Sequence, residues 1–343
     1  EYTDGHWDFV EPTDKDMLLV ADPKTLRKVP WAREPTAQII ADCYKASGEP
    51  HPLASRNVLK HVLALYEQAG LRAEVAPEVE FFLVHKNTDP DYELMPPKGR
   101  SGRREVARMS FSIDAVAEFE DFVEDMYDFA DEQALSVDTL IHENGAAQLE
   151  INFNHGDPLD MADQVFVFKR TVRETAQRHN MYATFMAKPM QKEPGSALHI
   201  HQSILSLETG KNIFNGADNE PTPELMHYIA GLQRYTPDLI SFYAPNVNSY
   251  RRLAPDISAP INLSWGYDNR TTAFRVPDST PDNRRVENRF PGADANPYLA
   301  IAASLASGLL GLENKLQPTA PHQGTANQEN IEVARSLEAA VRR

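Results

Sequence analysis
The sequence has one cysteine in 343 residues, Cys43, which excludes a disulfide framework or a cysteine-built zinc site and fits a reducing compartment. Long apolar runs are also missing: the longest, residues 299–312, is interrupted by Ser and Gly and too short to span a bilayer. Basic charge is in deficit, with 34 Lys and Arg against 50 Asp and Glu and a net charge of −16. Three consecutive Lys or Arg occur nowhere, so the basic footprint of a nucleic-acid binder is absent. With 16 glycines and 25 prolines the chain falls well below the low-complexity range. These absences predict a soluble, cytoplasmic, acidic globular protein without nucleic-acid or membrane partners.

What is present is enough apolar residue, 41%, for a full core. Residues 16–22 and 36–42 read as strands, and the Gly- and Pro-bearing stretch 47–52 as a boundary loop. Helical spacing of apolar residues predicts helices over 57–68, 113–133, 159–179, 224–239 and 297–316. Strands are expected at 149–153, 181–190, 197–205, 261–265, 273–276 and 286–290, with a strand hairpin over 71–84. Residues 87–110 read as a loop. The elements alternate without a strict βαβ rhythm or a Gly-rich phosphate loop, so the expected class is α+β with a sizeable antiparallel sheet.

Polar residues two apart inside these strands carry the chemistry, because side chains at i and i+2 share one face of a strand. Glu78 and Glu80 form one such pair, His199 and His201 another, and Arg285, Glu287 and Arg289 a triplet. Arg270 and Arg275 flank a short strand, and Glu143 and Glu150 bracket a Gly-Ala-Ala turn. Singly, each pattern is commonly a solvated edge or an ion-pair ladder. One sheet face carrying five carboxylates, histidines and arginines explains all of them together. Carboxylate-dominated sites with imidazole suit magnesium or manganese, and arginines converging on metals suit phosphoryl transfer. The residues thus point to a metal-dependent, ATP-using enzyme.

The segment from Lys188-Pro189-Met190 through Pro194-Gly195-Ser196-Ala197 to His199, His201 and Ser203 closely resembles the ATP-region signature of the glutamine synthetase family. Asn248-Ser249-Tyr250-Arg251-Arg252-Leu253, Asp268-Asn269-Arg270, Arg285 to Phe290, and Ala295-Asn296-Pro297-Tyr298-Leu299 resemble that family in the same order. Residues 147–153 and 265–271 are most similar to its γ-glutamylputrescine (γ-glutamylpolyamine) synthetase branch. The resemblance implies that residues 1–47 are the C-terminal part of a β-grasp domain and residues 48–343 the catalytic domain, incomplete at its C-terminal end. It implies a dodecamer of two hexameric rings with sites between subunits. Glu80, Glu143 and Glu150 would hold a first Mg2+ or Mn2+, and Glu78, His199 and Glu287 a second, with two or three ions per site. His201, Ser203, Arg275, Arg285 and Lys188 would contact ATP. Gly195, Arg252 and Arg289 would bind L-glutamate. Arg270, Arg252 and Glu287 would serve catalysis, with Arg270 stabilising the phosphoryl group in transfer.

Two departures bear on the acceptor. Ammonia-using members carry a Glu before Ala-Pro in the loop after the Asn-Ser-Tyr motif, and Ser258 stands there instead. Ser is no carboxylate base at neutral pH. Asp4-Gly5 is followed by His6-Trp7 rather than by the Ser-Ser of an ammonium loop, leaving Trp7 or Phe9 as an aromatic neighbour for an alkyl chain. Both departures imply a glutamate–amine ligase with a small amine acceptor such as putrescine. An ammonia-using glutamine synthetase is the alternative, and a non-catalytic structural member of the superfamily a minor one.

Overall fold
The computed structural model describes residues 16–89, 91–106, 108–217, 220–255, 259–326 and 330–343. Asp4, Gly5, His6, Trp7, Phe9 and Ser258, which carry the acceptor argument, lie outside the described residues. The first described segment makes two small antiparallel pairs, β1 (Leu18–Ala21) with β4 (Ala41–Tyr44) and β2 (Arg27–Lys28) with β3 (Ala37–Gln38). It is joined to the rest by Arg56 at the start of α1 (Ser55–Gln68). Buried Arg56 donates to Asp42 at 2.7 Å, to Asp22 at 2.8 Å and twice to Asp163 of α4 (Pro158–Arg178), at 2.9 and 2.8 Å.

The main sheet is built on β5, which runs unbroken over Leu71–His85 where the sequence suggested a hairpin. Pro77 sits in its middle, where the strand changes partners. Residues 71–79 pair with β9 (Leu198–Ser206), and residues 78–82 pair with β7 (Gln148–Phe153) on the other edge. β8 (Met181–Thr184) then takes up residues 82–85. Beyond β9 lie β12 (Val286–Asn288), β11 (Phe274–Val276) and β10 (Trp265–Tyr267); beyond β7 lies β6 (Val137–His142). Among the described residues only β10 and β11 pair in parallel, so the α+β class with a mostly antiparallel sheet holds.

Side-chain parity then sorts the sheet into two faces. On β5, Val75, Val79, Phe81 and Leu83 are fully buried in the main core, as are Leu149 and Ile151 of β7 and Leu198 and Ile200 of β9. Helices α1, α4, α5 (Pro223–Tyr243) and α6 (Pro297–Glu313) supply much of the rest of that core. Their starts follow from sequence: Asp157, Thr222 and Asn296 accept backbone N–H bonds as caps, each followed by Pro at the first helical position.

Several expected boundaries move for local reasons. The helix expected over 113–133 is two, α2 (Ile113–Ala117) and α3 (Glu120–Glu132), because the Glu118 carbonyl accepts from the Arg100 backbone and its carboxylate accepts from Ser101. The strand expected over 181–190 stops at Thr184, and the Lys188 backbone N–H donates to Asn248 instead. Asn262 accepts from the Ser264 backbone and hydroxyl, and the turn shifts the strand expected at 261–265 to β10. Edge strand β6 was not anticipated, its alternation being too polar to stand out.

Candidate active site
The face opposite the core forms a cleft of about 670 Å³. Because residues two apart on a strand, and residues paired across neighbouring strands, share a face, register alone assembles its floor. Glu78 stands between Asn152 and His199, Glu80 faces Glu150, and Glu287 lies between His201 and Arg275. Of the residues singled out from sequence, Glu78, Glu80, Glu143, Glu150, Gly195, His199, His201, Arg252, Arg270, Arg275, Arg285 and Arg289 line the cleft. Glu287 lies beneath it, 1% exposed, bonded to Arg275 at 2.8 Å and to Arg289. Ser203 and Lys188 are not on the lining; the Lys188 ammonium donates to the Glu193 carbonyl.

Two groups of side chains are close enough to share one ion: Glu78, Glu150 and His199, and Glu78, His201 and Glu287. This grouping cuts across the expected division, since Glu78 belongs to both, while Glu80 and Glu143 belong to neither. Glu80 accepts from the Ala197 backbone at 2.8 Å and from Gln148 at 3.2 Å, and Glu143 from Asn144 at 3.1 and 3.2 Å. His201 is held differently from His199. Arg285 Nε donates to His201 Nδ1 at 3.1 Å, so Nε2 carries the proton and donates to Glu78 at 2.7 Å. That tautomer leaves no free lone pair for an ion. Both ring nitrogens are thus engaged, and His201 links Arg285 to Glu78.

Electrostatics divide the carboxylates. Burial pushes Glu150 up to about 10, reinforced by Glu78, Glu80 and Glu143. Burial and Glu143 raise Glu80 to about 7, and burial raises Glu143. Burial also works against ionised Glu287, but Arg289 and the two imidazoles overcome it and hold the carboxyl near 2. Glu78 is likewise kept well below the carboxylate range, by His201 and His199, against its burial. His199 falls to about 4 through burial and the Arg289 charge, so its imidazole is neutral and able to ligate. Buried carboxylates that repel one another beside a neutral imidazole make an oxygen-rich donor set, which fits Mg2+ or Mn2+.

Arg252, 4% exposed, donates to the Phe290 carbonyl at 2.7 Å and to the Arg289 carbonyl at 3.0 Å. It thereby fixes the strand end that carries Arg289. Gly195 permits this approach, since a Cβ there would lie 2.7 Å from both Arg252 Cγ and the Ala187 carbonyl oxygen. Burial lowers Arg252 to about 10, leaving it charged at neutral pH.

Sequence reasoning missed Gln148 and Asn152, which flank Glu150 at i±2 on β7 and which the same parity rule would have found. It also missed Glu105, whose Oε2 binds His142 at 2.9 Å and the Ala147 backbone N–H at 2.8 Å, bracing the turn after Glu143. No local pattern marks Glu105. Phe111 and Ile141 also line the cleft.

Such a cleft defines a class: a site for divalent cations and for phosphate- or carboxylate-bearing ligands, built on an antiparallel sheet. The chain belongs to the glutamine synthetase family, whose catalytic domain matches residues 52–343. It is 37% identical over 342 residues to the glutamate–isopropylamine ligase of Pseudomonas sp, covering 98% of this chain and 72% of that protein. It is 38% identical over 292 residues to γ-glutamylputrescine synthetase PuuA of Escherichia coli K12, covering 84% and 61%. Glutamine synthetase of Pyrococcus abyssi is 36% identical over 307 residues, covering 90% and 66%. The chain thus spans between 61% and 72% of the length of these relatives. Solved structures of apo GmaS and of a GmaS/ADP complex superpose with TM-scores of 0.83 and 0.84 at 30% identity, each covering 98% of this chain and 77% of the other. Among the described residues no helix is long and apolar enough to cross a membrane.

Proposed function
We propose that this chain carries the catalytic domain of an ATP-dependent ligase that joins the γ-carboxylate of L-glutamate to an amine through γ-glutamyl phosphate. The product would be a γ-glutamylamine, γ-glutamylputrescine being one candidate. The observation that carries this reading is the in-register floor of carboxylates and imidazoles walled by five arginines, in a chain 37–38% identical to two glutamate–amine ligases.

Glu78, Glu150 and His199 would hold one divalent cation, with Glu80, Glu143 and Glu287 contributing to the ion cluster. The bound ions would offset charge on ATP and on the transferred phosphoryl group. Around them the chain's own residues act. Arg275 and Arg285 bind ATP phosphates, with His201 orienting Arg285 through the bond to its Nδ1 and with Ser203 and Lys188 as outer contacts. Arg289 receives the carboxylate of glutamate, with Arg252 and Gly195 setting its position. Arg270 stabilises charge on the phosphoryl group while the γ-carboxylate attacks and ADP leaves. The amine then displaces phosphate, forming the amide.

Ser258 favours an alkylamine over ammonium, and an ADP-release assay across a panel of amines tests this. Turnover with alkylamines above that with ammonium at equal concentration is expected. Ammonium outperforming them sinks the amine reading in favour of glutamine synthetase activity. No divalent-dependent ATP binding in calorimetry would instead favour a non-catalytic member. Residues 1–47 are read as part of a β-grasp domain preceding the catalytic domain at 48–343, a division that the small paired strands before α1 support. The dodecamer and the cytoplasmic location belong to the same proposal, and light scattering on the purified chain checks the first.

A further inference from the structure
The stretch between β12 and α6, residues 289–296, is held by several elements at once. Arg252 grips its first carbonyls, those of Arg289 and Phe290. The Pro291 carbonyl then accepts from the Leu198 backbone at 2.9 Å, and the Ala293 N–H donates to the Ser196 carbonyl at 3.0 Å, beside Gly195. Lys169, reaching in from α4, donates to the carbonyls of Ala293 at 2.6 Å and Ala295 at 3.0 Å. The Asp294 carboxylate accepts from the Ser249 hydroxyl at 2.6 Å and from the Asn246 amide at 3.0 Å. Those two residues cap the short turn Val247–Arg251, which delivers Arg252. All three residues assigned to glutamate, Gly195, Arg252 and Arg289, are therefore tied to this one loop.

Entry into α6 does not require Lys169 or Asp294, because the Asn296 cap and Pro297 already secure the helix start. Lys169 is 9% exposed, and taking an ammonium out of water is costly when its bonded partners are neutral carbonyls. Burial lowers it to about 8, with Arg173 adding to the shift and Asp294 opposing it, so it is still protonated at neutral pH. Asp294 in turn depends on Gly292. A Cβ there would lie 2.5 Å from Asp294 Oδ1, so glycine leaves the carboxylate its place. Neither Lys169 nor Asp294 lines the cleft.

We propose that Lys169 and Asp294 are positioning residues for L-glutamate, holding the loop after β12 so that Gly195, Arg252 and Arg289 keep the spacing the substrate needs. This rests on the ligase reading above and deepens its glutamate end. A carboxylate clamp loses much of its grip when a guanidinium is displaced by about 1 Å. Lys169 fixes the loop carbonyls and Asp294 fixes the turn before Arg252, so releasing either frees Arg252 relative to Arg289. The phosphate end is anchored separately, Arg275 by Asp268 and Glu287, and Arg285 by His201. Loss of the clamp therefore weakens glutamate and spares the nucleotide.

The test is calorimetric binding of L-glutamate, and separately of ADP, to the Mn2+-loaded full chain as wild type, Lys169→Met, Asp294→Ala, Asp294→Asn and Ser249→Ala. Lys169→Met and Asp294→Ala are expected to raise Kd for glutamate about tenfold, with Kd for ADP within about twofold of the wild type. Asp294→Asn keeps an oxygen that can accept from Ser249 and restores glutamate binding to within about threefold. Ser249→Ala removes one donor to Asp294, leaves Lys169 in place and gives a smaller loss of the same kind; it decides the matter if the larger changes do not fold. An unchanged Kd for glutamate in the folded variants overturns the positioning role alone. Equal weakening of glutamate and ADP also overturns it, since that is what general loosening of the fold would do. A wild type that binds Mn2+ and ADP but no glutamate overturns the ligase reading and the positioning role with it.

Discussion

Replacing Glu150 with Gln should stabilise the metal-free protein while weakening its hold on divalent cations. Glu150 is buried and its carboxyl is raised to about 10 from an ordinary 4.5, by burial and by Glu78, Glu80 and Glu143. At about pH 7.5 the folded chain keeps the proton and the unfolded chain releases it, a difference of about three pH units or about 4 kcal/mol against folding. Because the folded pKa is the raised one, the group's contribution to stability is present below the unfolded pKa and is lost as pH rises through the folded one. The gain from Gln is therefore negligible near pH 4 and grows toward alkaline pH. An unfolding entropy of about 2.1 cal/mol/K per residue converts up to about 4 kcal/mol into a Tm rise of about 3–6 °C for a chain of this length. Calorimetry of chelator-treated protein near pH 5 and pH 8 reads this directly. Adding Mn2+ at about a hundred times its Kd should then raise the wild-type Tm by about 4 °C, from about 2.7 kcal/mol of linkage, and the variant's by less. A variant less stable than the wild type at pH 8, or one gaining equally from Mn2+, would refute the view that Glu150 is a repelled carboxylate awaiting a cation.

Glu287→Gln should act with the opposite sign on stability, since that carboxylate is held near 2 by Arg289 and the imidazoles against its burial. Its loss leaves Arg289 without its carboxylate, an effect of about 3–5 kcal/mol and a Tm drop of about 4–7 °C, with divalent-dependent turnover down at least about a hundredfold. Affinity for Mn2+ measured by calorimetry should be tighter near pH 8.5 than near pH 6.5, because Glu80, raised to about 7, loses its proton over that interval and Glu150, raised to about 10, must give up a proton to the ion at either pH; a pH-independent affinity contradicts this. Gly195→Ala places a methyl 2.7 Å from the Ala187 carbonyl oxygen and Arg252 Cγ, and should raise KM for glutamate several-fold with a smaller change in KM for ATP. Equal shifts in both would argue against Arg252 and Arg289 as the glutamate end of the cleft.

The sequence by itself determined which side chains could meet, because period-two parity is a local property of a strand. Glu78 with Glu80, His199 with His201, and Arg285, Glu287 and Arg289 on one face all follow from spacing alone, and their opposite faces are the buried core. It also determined helix starts at Asp157, Thr222 and Asn296, where cap and proline adjoin. Only the tertiary structure decided what each group does. Register between strands far apart in sequence set Glu80 against Glu150 and Glu78 against His199, which gives those carboxylates opposite pKa shifts. The Arg285 bond to His201 fixed a tautomer that spacing could not show. Arg252, expected as a direct glutamate ligand, is bonded to the backbone that carries Arg289. Phe111 and Glu105 come from an aperiodic stretch before α2, so no local pattern exposes them. A side chain's chemical type is written in the sequence, but its protonation, partners and strain arise from neighbours brought in by folding.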